Sequence, residues 1–522
     1  MRAMVRSACA STLGQRCCFS KRMLSVSHFA GRVPVGTPIP VTVSKKGPFH
    51  IRQEENDTEE MMVVGAACSE CFSGPRLAEI LQPGFDYERE ALMNLNKGNH
   101  AAPLSIHTSA GVPQALPEFI RTLESALPSH LAAASEEWFA SLQVEGTSAV
   151  REENTTPHEK QKDIFSSLRT KVAVSEFSYH GPGSSSFGSA SPLGAKPMQR
   201  TYPMPAYHKR RIEAGESLDE FHQRMRQEYV DFLNREADEL GVILFEPQSG
   251  SSLAAQPWDK EMLKEYVRLA KERGIKVLAD EVMCGLARHG EGDLFLSKSW
   301  DLRPDAVTFG KAVAGGVFPL AGCLVFEGGG RLREEGRTVL QSHTYAGSNI
   351  RALITAREVG NVVHMMVLKK TKEYGSHIQK MSKGLESAMQ EAEAASNGNL
   401  VSHGMGLMWG LAWSRGSCAL DRKMRKKANA ALKNACKAHR IWPYFVDMGV
   451  MVTPTYDIQE EEVICPRCCE LFLGCVLSLK GSTLMATNKY PVTNIQSELG
   501  RRLSAAVGEA MSNLGWKKSG QH

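Results

Sequence analysis

The stretch GVILFEPQSGSSLAAQPWDKEMLKEYVRLAKERGIKVLAD, residues 241–280, decides the fold. GVILFEP at 241–247 and IKVLAD at 275–280 are short, continuous apolar runs, as expected of strands buried on both faces. Between them, Met262, Tyr266 and Leu269 share one face of a helix through DKEMLKEYVRLAKER, and Gly274 supplies its stop. Strand, helix, strand in that order predicts a parallel sheet covered on both faces. Upstream, Ser217 with Glu220 forms a capping-box pattern ahead of a helical stretch to about 239. Downstream, DAVTFG at 305–310 is a further apolar run, and Lys311 follows it.

The whole chain of 522 residues is 42% apolar and 23% charged, a globular composition large enough for two or three subdomains. Its net charge of +5 owes much to the first fifty residues, which hold no Asp or Glu, and this argues against a nucleic-acid partner. Residues 1–35 are Arg- and Ser-rich without the apolar core of a secretory signal, and predict a mitochondrial targeting segment and a matrix location. A basic tail or a plastid address fits the same composition. Residues 36–60 read as a linker within an amino-terminal segment, 36–115; a large domain is expected over 116–360 and a smaller α+β domain over 361–516. In the latter, GLMWGLAW at 406–413 is strand-like, and Ile495, Leu499, Leu503, Val507 and Met511 mark a final amphipathic helix. LPEFIRTLESALP at 116–128 has a helical pattern. The apolar stretch 312–326 is too short for a bilayer span and is broken by Gly315, Gly316 and Pro319, so no membrane span is expected. Thirteen cysteines include two C-x-x-C pairs, Cys68 with Cys71 and Cys465 with Cys468; unpaired thiols are favoured over a zinc site, and no metal is expected.

Ligands of an open α/β sheet bind outside the carboxyl ends of its strands, where Asp280 and Lys311 both fall. A carboxylate there can hold a pyridine nitrogen protonated, and an amine there can form a Schiff base with an aldehyde and then shuttle a proton. From position alone, a turn-capping aspartate and a solvated lysine explain the two residues at least as well.

The surrounding strings add a family. ADEVMCGLARHG at 279–290, PDAVTFGKAVAGGVFPLAG at 304–322 and SHTYAGSN at 342–349 together resemble the class III, or omega, aminotransferases, a branch of the fold-type I pyridoxal-phosphate enzymes. EPQSG at 246–250 resembles that family's Glu-Pro strand end, SYHG at 178–181 its cofactor-stacking turn, and EGTSAV at 145–150 its phosphate turn. The resemblance implies an aspartate-aminotransferase-like α/β fold with pyridoxal 5'-phosphate on Lys311 and Asp280 at the ring nitrogen. It places Tyr179 over one ring face and Val282 against the other, with His180 and Glu246 also in the cofactor-binding set. Gly146 and Thr147 would take the phosphate, and Thr344 would reach it from a neighbouring subunit, which implies a homodimer with shared active sites.

The activity so implied is transfer of an amino group from an amine or amino acid to a keto acid, with Arg288, Arg351 and Arg440 as candidates for carboxylate recognition. Racemisation or decarboxylation would use the same scaffold. The chain also departs from the family pattern: Ser148 stands where a glutamate is usual, His403 where an arginine is usual, and 461–490 looks like an insertion. A catalytically degenerate paralogue serving a mitochondrial assembly is therefore the rival expectation.

Overall fold

The structure is a computed structural model that describes residues 41–42, 50–51, 61–65, 68–69, 72, 74–98, 114–124, 169, 171–180, 199–203, 216–325, 349–367, 372–414, 422–458 and 498–514. Its amino-terminal part contains strands β1 (Val41–Thr42), β2 (His50–Ile51) and β3 (Met61–Val63), then helices α1 (Gly74–Asn96) and α2 (Ala115–Glu124). The stretch expected to be a linker thus carries β1 and β2, which pair with each other and, through β2, with β3. Strands of two residues are too short to show a period in sequence, which is why composition alone suggested a linker.

The central sheet is built from β4 (Lys171–Ser175), β5 (Gln199–Tyr202), β6 (Leu240–Phe245), β7 (Lys276–Asp280), β8 (Ala306–Phe309) and β9 (Gly322–Val325). Their spatial order is β5-β4-β6-β7-β8-β9, parallel except for β9. The chain steps outward from β4 to β5 and then returns to β6 on the other side of β4. That reversal opens a crevice at the carboxyl ends of the strands.

Helices α3 (Leu218–Glu236) and α4 (Lys260–Glu272) cover one face. The capping box of Ser217 and Glu220 starts α3, and Asp259 caps α4 by accepting the Met262 amide at 2.9 Å. Gly274, at φ +69°, ends α4 in the left-handed region that glycine tolerates. Met262, Leu263, Tyr266, Val267, Leu269 and Ala270 are the buried stripe of α4. Tyr266 stacks on Tyr229 of α3 with centroids 3.8 Å apart, and the Tyr202, Tyr229 and Tyr266 hydroxyls all donate to backbone carbonyls. The layer therefore buries large apolar area and leaves no phenol unsatisfied.

After the four-residue helix α5 (Leu296–Ser299), the second half comprises α6 (Ile350–Val367), α7 (Lys372–Ala395), β10 (Leu400–Met405), β11 (Met408–Trp413), α8 (Arg422–Ala438), β12 (Ile441–Trp442), β13 (Tyr444–Val446), β14 (Gly449–Val452) and α9 (Glu498–Asn513). Strands β10, β11, β14 and β13 form an antiparallel sheet, and α9 packs on α7 and α8. Helix α6 runs through the boundary expected at 360. Strand β3 pairs in parallel with β12, so the amino-terminal strands join the carboxy-terminal half. Among the described residues no helix is long and apolar enough to cross a membrane.

The two halves meet at close quarters. A Cβ added at Gly410 of β11 would lie 1.7 Å from the Ala254 carbonyl oxygen, which sits in the loop after β6. Backbone cannot yield as a flexible side chain does, so Gly410→Ala is expected to lower stability by roughly 3 kcal/mol in urea denaturation. Gly508→Ala in α9, where no described residue lies within 4 Å, is expected to be neutral or to add about 0.5–1 kcal/mol.

Candidate active site

Asp280 ends β7 and Thr308 lies opposite it on β8. Paired residues point to the same side of a sheet, and the Thr308 hydroxyl donates to Asp280 Oδ1 at 3.2 Å. The Val282 amide donates to the same oxygen at 3.1 Å, while Asp280 Oδ2 lies 2.7 Å from His180 Nδ1 in the turn after β4. A carboxylate offers about four lone-pair sites. Among the described residues three are used, and the fourth, on Oδ2, is left for a further donor.

Electrostatics keep this carboxylate charged. Burial pushes the Asp280 carboxyl up, but the His180 hydrogen bond and charge, aided by the Val282 amide and Thr308, hold it below the ordinary aspartate value. Burial likewise pushes His180 down, and the Asp280 hydrogen bond with the charge of Glu246 moves it above the ordinary histidine value. Both directions favour an imidazolium–carboxylate pair, with His180 as donor. The other ring nitrogen, His180 Nε2, is buried and has no hydrogen-bond partner among the described residues.

Glu246, just past β6, accepts the Tyr179 amide at 3.2 Å and the Gly250 amide at 2.7 Å. It ties the turn bearing Tyr179 and His180 to the end of β6. Burial raises its carboxyl above the ordinary value. Tyr179 is 46% exposed, so its ring borders open space.

Lys311 opens a short 3₁₀ turn, Lys311–Ala314, directly after β8. Its φ of +47° is a left-handed conformation that side chains rarely adopt, and such strain is concentrated at functional positions. A Cβ at Gly310 before it would make ordinary van der Waals contact with Val282 Cγ1 and Ala321 Cβ, at 3.4 Å each. Val282 therefore packs beside the backbone that carries Lys311. Gly146, Thr147, Ser148 and Thr344 lie outside the described residues.

Two groups at the site went unread in the sequence. Thr308 had a faint signal, being the polar residue inside the VTF core of an apolar run. Glu281 had none: it is fully buried and accepts the amides of Leu296 and Ser297 at 2.6 and 2.8 Å, capping α5 beside Asp280. Two of the arginines expected to meet a substrate carboxylate, Arg288 and Arg351, are engaged elsewhere. Arg288 is buried and donates to the Pro454 carbonyl at 2.7 Å with its guanidinium over Tyr456, while Arg351 pairs with Glu88 and lies over Phe318. The Arg440 carbonyl accepts from Met62 and Arg502. Cys68 is buried against Met408 Sδ at 3.4 Å, whereas Cys71, Cys465 and Cys468 lie outside the described residues. Among the described residues, no group of three or more His, Cys, Asp or Glu is placed to hold a metal ion.

Comparison with known proteins decides the family. The model of the aminotransferase class-III family matches residues 118–458. The chain belongs to the class-III aminotransferases. Relatives of this family include the adenosylmethionine-8-amino-7-oxononanoate aminotransferase of Staphylococcus aureus, 25% identical over 232 residues, which are 43% of this chain and 48% of that protein. The acetylornithine aminotransferase of Wolinella succinogenes is 44% identical over 62 residues, 12% of this chain and 15% of that one. The chain thus matches less than half the length of these curated relatives. A solved omega-transaminase from Pseudomonas jessenii in complex with PMP shares the fold, with a TM-score of 0.63 at 16% identity, covering 92% of this chain and 94% of that one.

Class-III aminotransferases use pyridoxal 5'-phosphate. The residues present fit its ring: the remaining Asp280 lone pair suits a protonated pyridine nitrogen, and Lys311 stands at the end of the adjacent strand.

Glu281 gives this site a pH signature. Burial pushes its carboxyl up to about 7 from 4.5, so the folded protein holds this proton more tightly than the unfolded chain. Its stabilising effect is therefore complete at low pH and is lost as pH rises from 4.5 through 7. Chemical denaturation at pH 5 and pH 8.5 is expected to show a loss of up to about 3 kcal/mol that Glu281→Gln does not show.

Proposed function

We propose that the protein is a pyridoxal-phosphate-dependent aminotransferase that moves an amino group from a small amine or amino acid to a keto acid. The observation that carries this reading is the buried Asp280–His180 pair, with one carboxylate lone pair spare, beside a strained Lys311 on the next strand. When bound, the cofactor supplies an electron sink for charge developing at the amino carbon.

The chain's own residues have separate tasks. Asp280 holds the proton on the ring nitrogen, and His180, Thr308 and the Val282 amide keep Asp280 ionised and oriented. Lys311 Nζ would hold the cofactor and would carry the proton to and from the amino carbon. Glu246 fixes the turn that presents Tyr179. Gly146, Thr147 and a partner's threonine at position 344 take the phosphate in this reading.

Assembly as a homodimer is part of the proposal. It is supported by the Thr344 resemblance and by apolar side chains left exposed on α1 and after Lys311, namely Phe85, Leu92 and Val317. The acid-free amino-terminal segment supports a mitochondrial matrix location.

Protein saturated with pyridoxal phosphate is expected to show a visible absorbance band that an effective amino donor removes and a keto acid restores. Borohydride reduction followed by peptide mapping is expected to label Lys311, and Lys311→Ala to abolish both signals. A saturated protein without label at Lys311 would instead favour the degenerate paralogue. Product analysis separates transamination from racemisation or decarboxylation.

A further inference from the structure

Helix α8, Arg422–Ala438, reads RKMRKKANAALKNACKA: seven basic residues and no acidic one in 17 positions, more than the net charge of +5 carried by the entire chain. Lys423, Lys426, Lys427, Lys433 and Lys437 are all exposed, and spacings of three, four and seven put them on one side of the helix. The other side, with Ala428, Leu432, Ala435 and Cys436, is buried in the main core. From Lys423 to Lys437 the stripe runs straight for about 21 Å, at about 1.5 Å per residue.

Other surface helices interleave their charges. Arg76 pairs with Glu79 on α1, Arg224 with Glu228 on α3, and Lys264 with Glu261 and Arg268 with Glu272 on α4. At α8, Asp447 is taken by Arg425 and Glu509 by His439, both outside the stripe. Lys426, Lys427, Lys433 and Lys437 form no ion pair among the described residues; Lys433 lies instead over the rings of Trp442 and Phe445, 5.3 and 5.9 Å from their centroids. The stripe also works against its own helix. Lys423 with Lys427 and Lys433 with Lys437 are like charges four positions apart, which repel. Lys423 stands in the first turn, where the macrodipole favours acids and none is present. Local rules broken without a gain inside the molecule mark a functional surface, and a negative partner relieves both terms.

We propose that the lysine stripe of α8 docks the protein on an anionic phospholipid surface. The form of the stripe selects that partner. It is straight and convex, so it meets a plane along its whole length and needs no complementary groove. Its charges are ammonium groups on flexible stems, which suit a broad field of negative headgroups; a single shaped anion is better held by the fork of an arginine. Binding a nucleic-acid strand adds aromatic faces for the bases, and the rings that adjoin the stripe, Trp442 and Phe445, are engaged by Lys433. Clusters of exposed lysines on a helix are attracted to anionic leaflets over a distance set by salt screening.

The test is co-sedimentation of full-length protein with vesicles of phosphatidylcholine alone or mixed with phosphatidylglycerol. Binding is expected to the mixed vesicles only, and to be lost between about 0.1 M and about 1 M salt, as the screening length falls from about 10 to about 3 Å. Lys426→Glu/Lys427→Glu is expected to weaken that binding at least roughly 100-fold, since each lysine near an anionic surface contributes about fivefold and each glutamate opposes it. Lys260→Glu/Lys383→Glu, with the same change in net charge at exposed lysines of α4 and α7, is expected to bind as the wild type does. The α8 variant is expected to unfold at the same temperature or higher, because acids replace bases near the start of the helix. Equal binding to both vesicle types, equal loss in the two double variants, or capture of RNA by a protein that leaves mixed vesicles unbound would each overturn the proposal. None of these outcomes bears on Lys311 labelling, so the aminotransferase reading stands or falls separately.

Discussion

A charge taken out of water must be matched, and the candidate site is organised around one such charge. Asp280 is surrounded by protein on the end of a central strand, where an isolated carboxylate would take up a proton. Three groups keep it ionised: the His180 imidazole at 2.7 Å with its charge, the Thr308 hydroxyl and the Val282 amide. Each comes from a different position along the chain, and the parallel sheet is what brings them together. The same arrangement leaves one acceptor position unused. A site that maintains a negative charge and keeps room for one more donor is suited to a cationic ring nitrogen.

The surroundings extend this constraint across the molecule. Glu281 anchors the start of α5, and the loop between Asp280 and α5 contains Arg288, whose guanidinium and carbonyl reach Pro454 and Leu407 in the carboxy-terminal half. On the opposite side, Gln248 donates to the Met408 carbonyl at 2.9 Å, and the loop after β6 presses the Ala254 carbonyl into the space that Gly410 leaves open. Ala254 and Ala255 both adopt left-handed φ values there, a conformation sustained by the packing of the second half against the loop. The position of the antiparallel sheet is therefore felt at Gly250, whose carbonyl accepts the Ala255 amide at 3.2 Å and whose own amide donates to Glu246. The halves form one structural unit around the crevice.

The sequence disclosed the sheet far better than the site. Strands β6, β7 and β8 and helix α4 were legible because continuous apolar runs alternate with a capped amphipathic helix. Locating Asp280 and Lys311 at strand ends followed from the same pattern. The pairing of His180 with Asp280 left no local trace, since it joins residues one hundred positions apart through strand order. Glu281 was not singled out, because nothing in DEVMCG signals the amides of α5 arriving from fifteen positions away. Arg288 and Arg351 show the converse error, where charge suggested a ligand and the fold uses it as internal bracing.

The central claim is that Asp280 is held ionised to keep a bound pyridine ring protonated. The most direct measurement is the ¹⁵N chemical shift of the ring nitrogen in protein loaded with pyridoxal phosphate labelled at that atom. A shift in the protonated range at neutral pH, moving toward the unprotonated range in Asp280→Asn, is the expected result. An unprotonated ring nitrogen in the wild-type protein at that pH would contradict it.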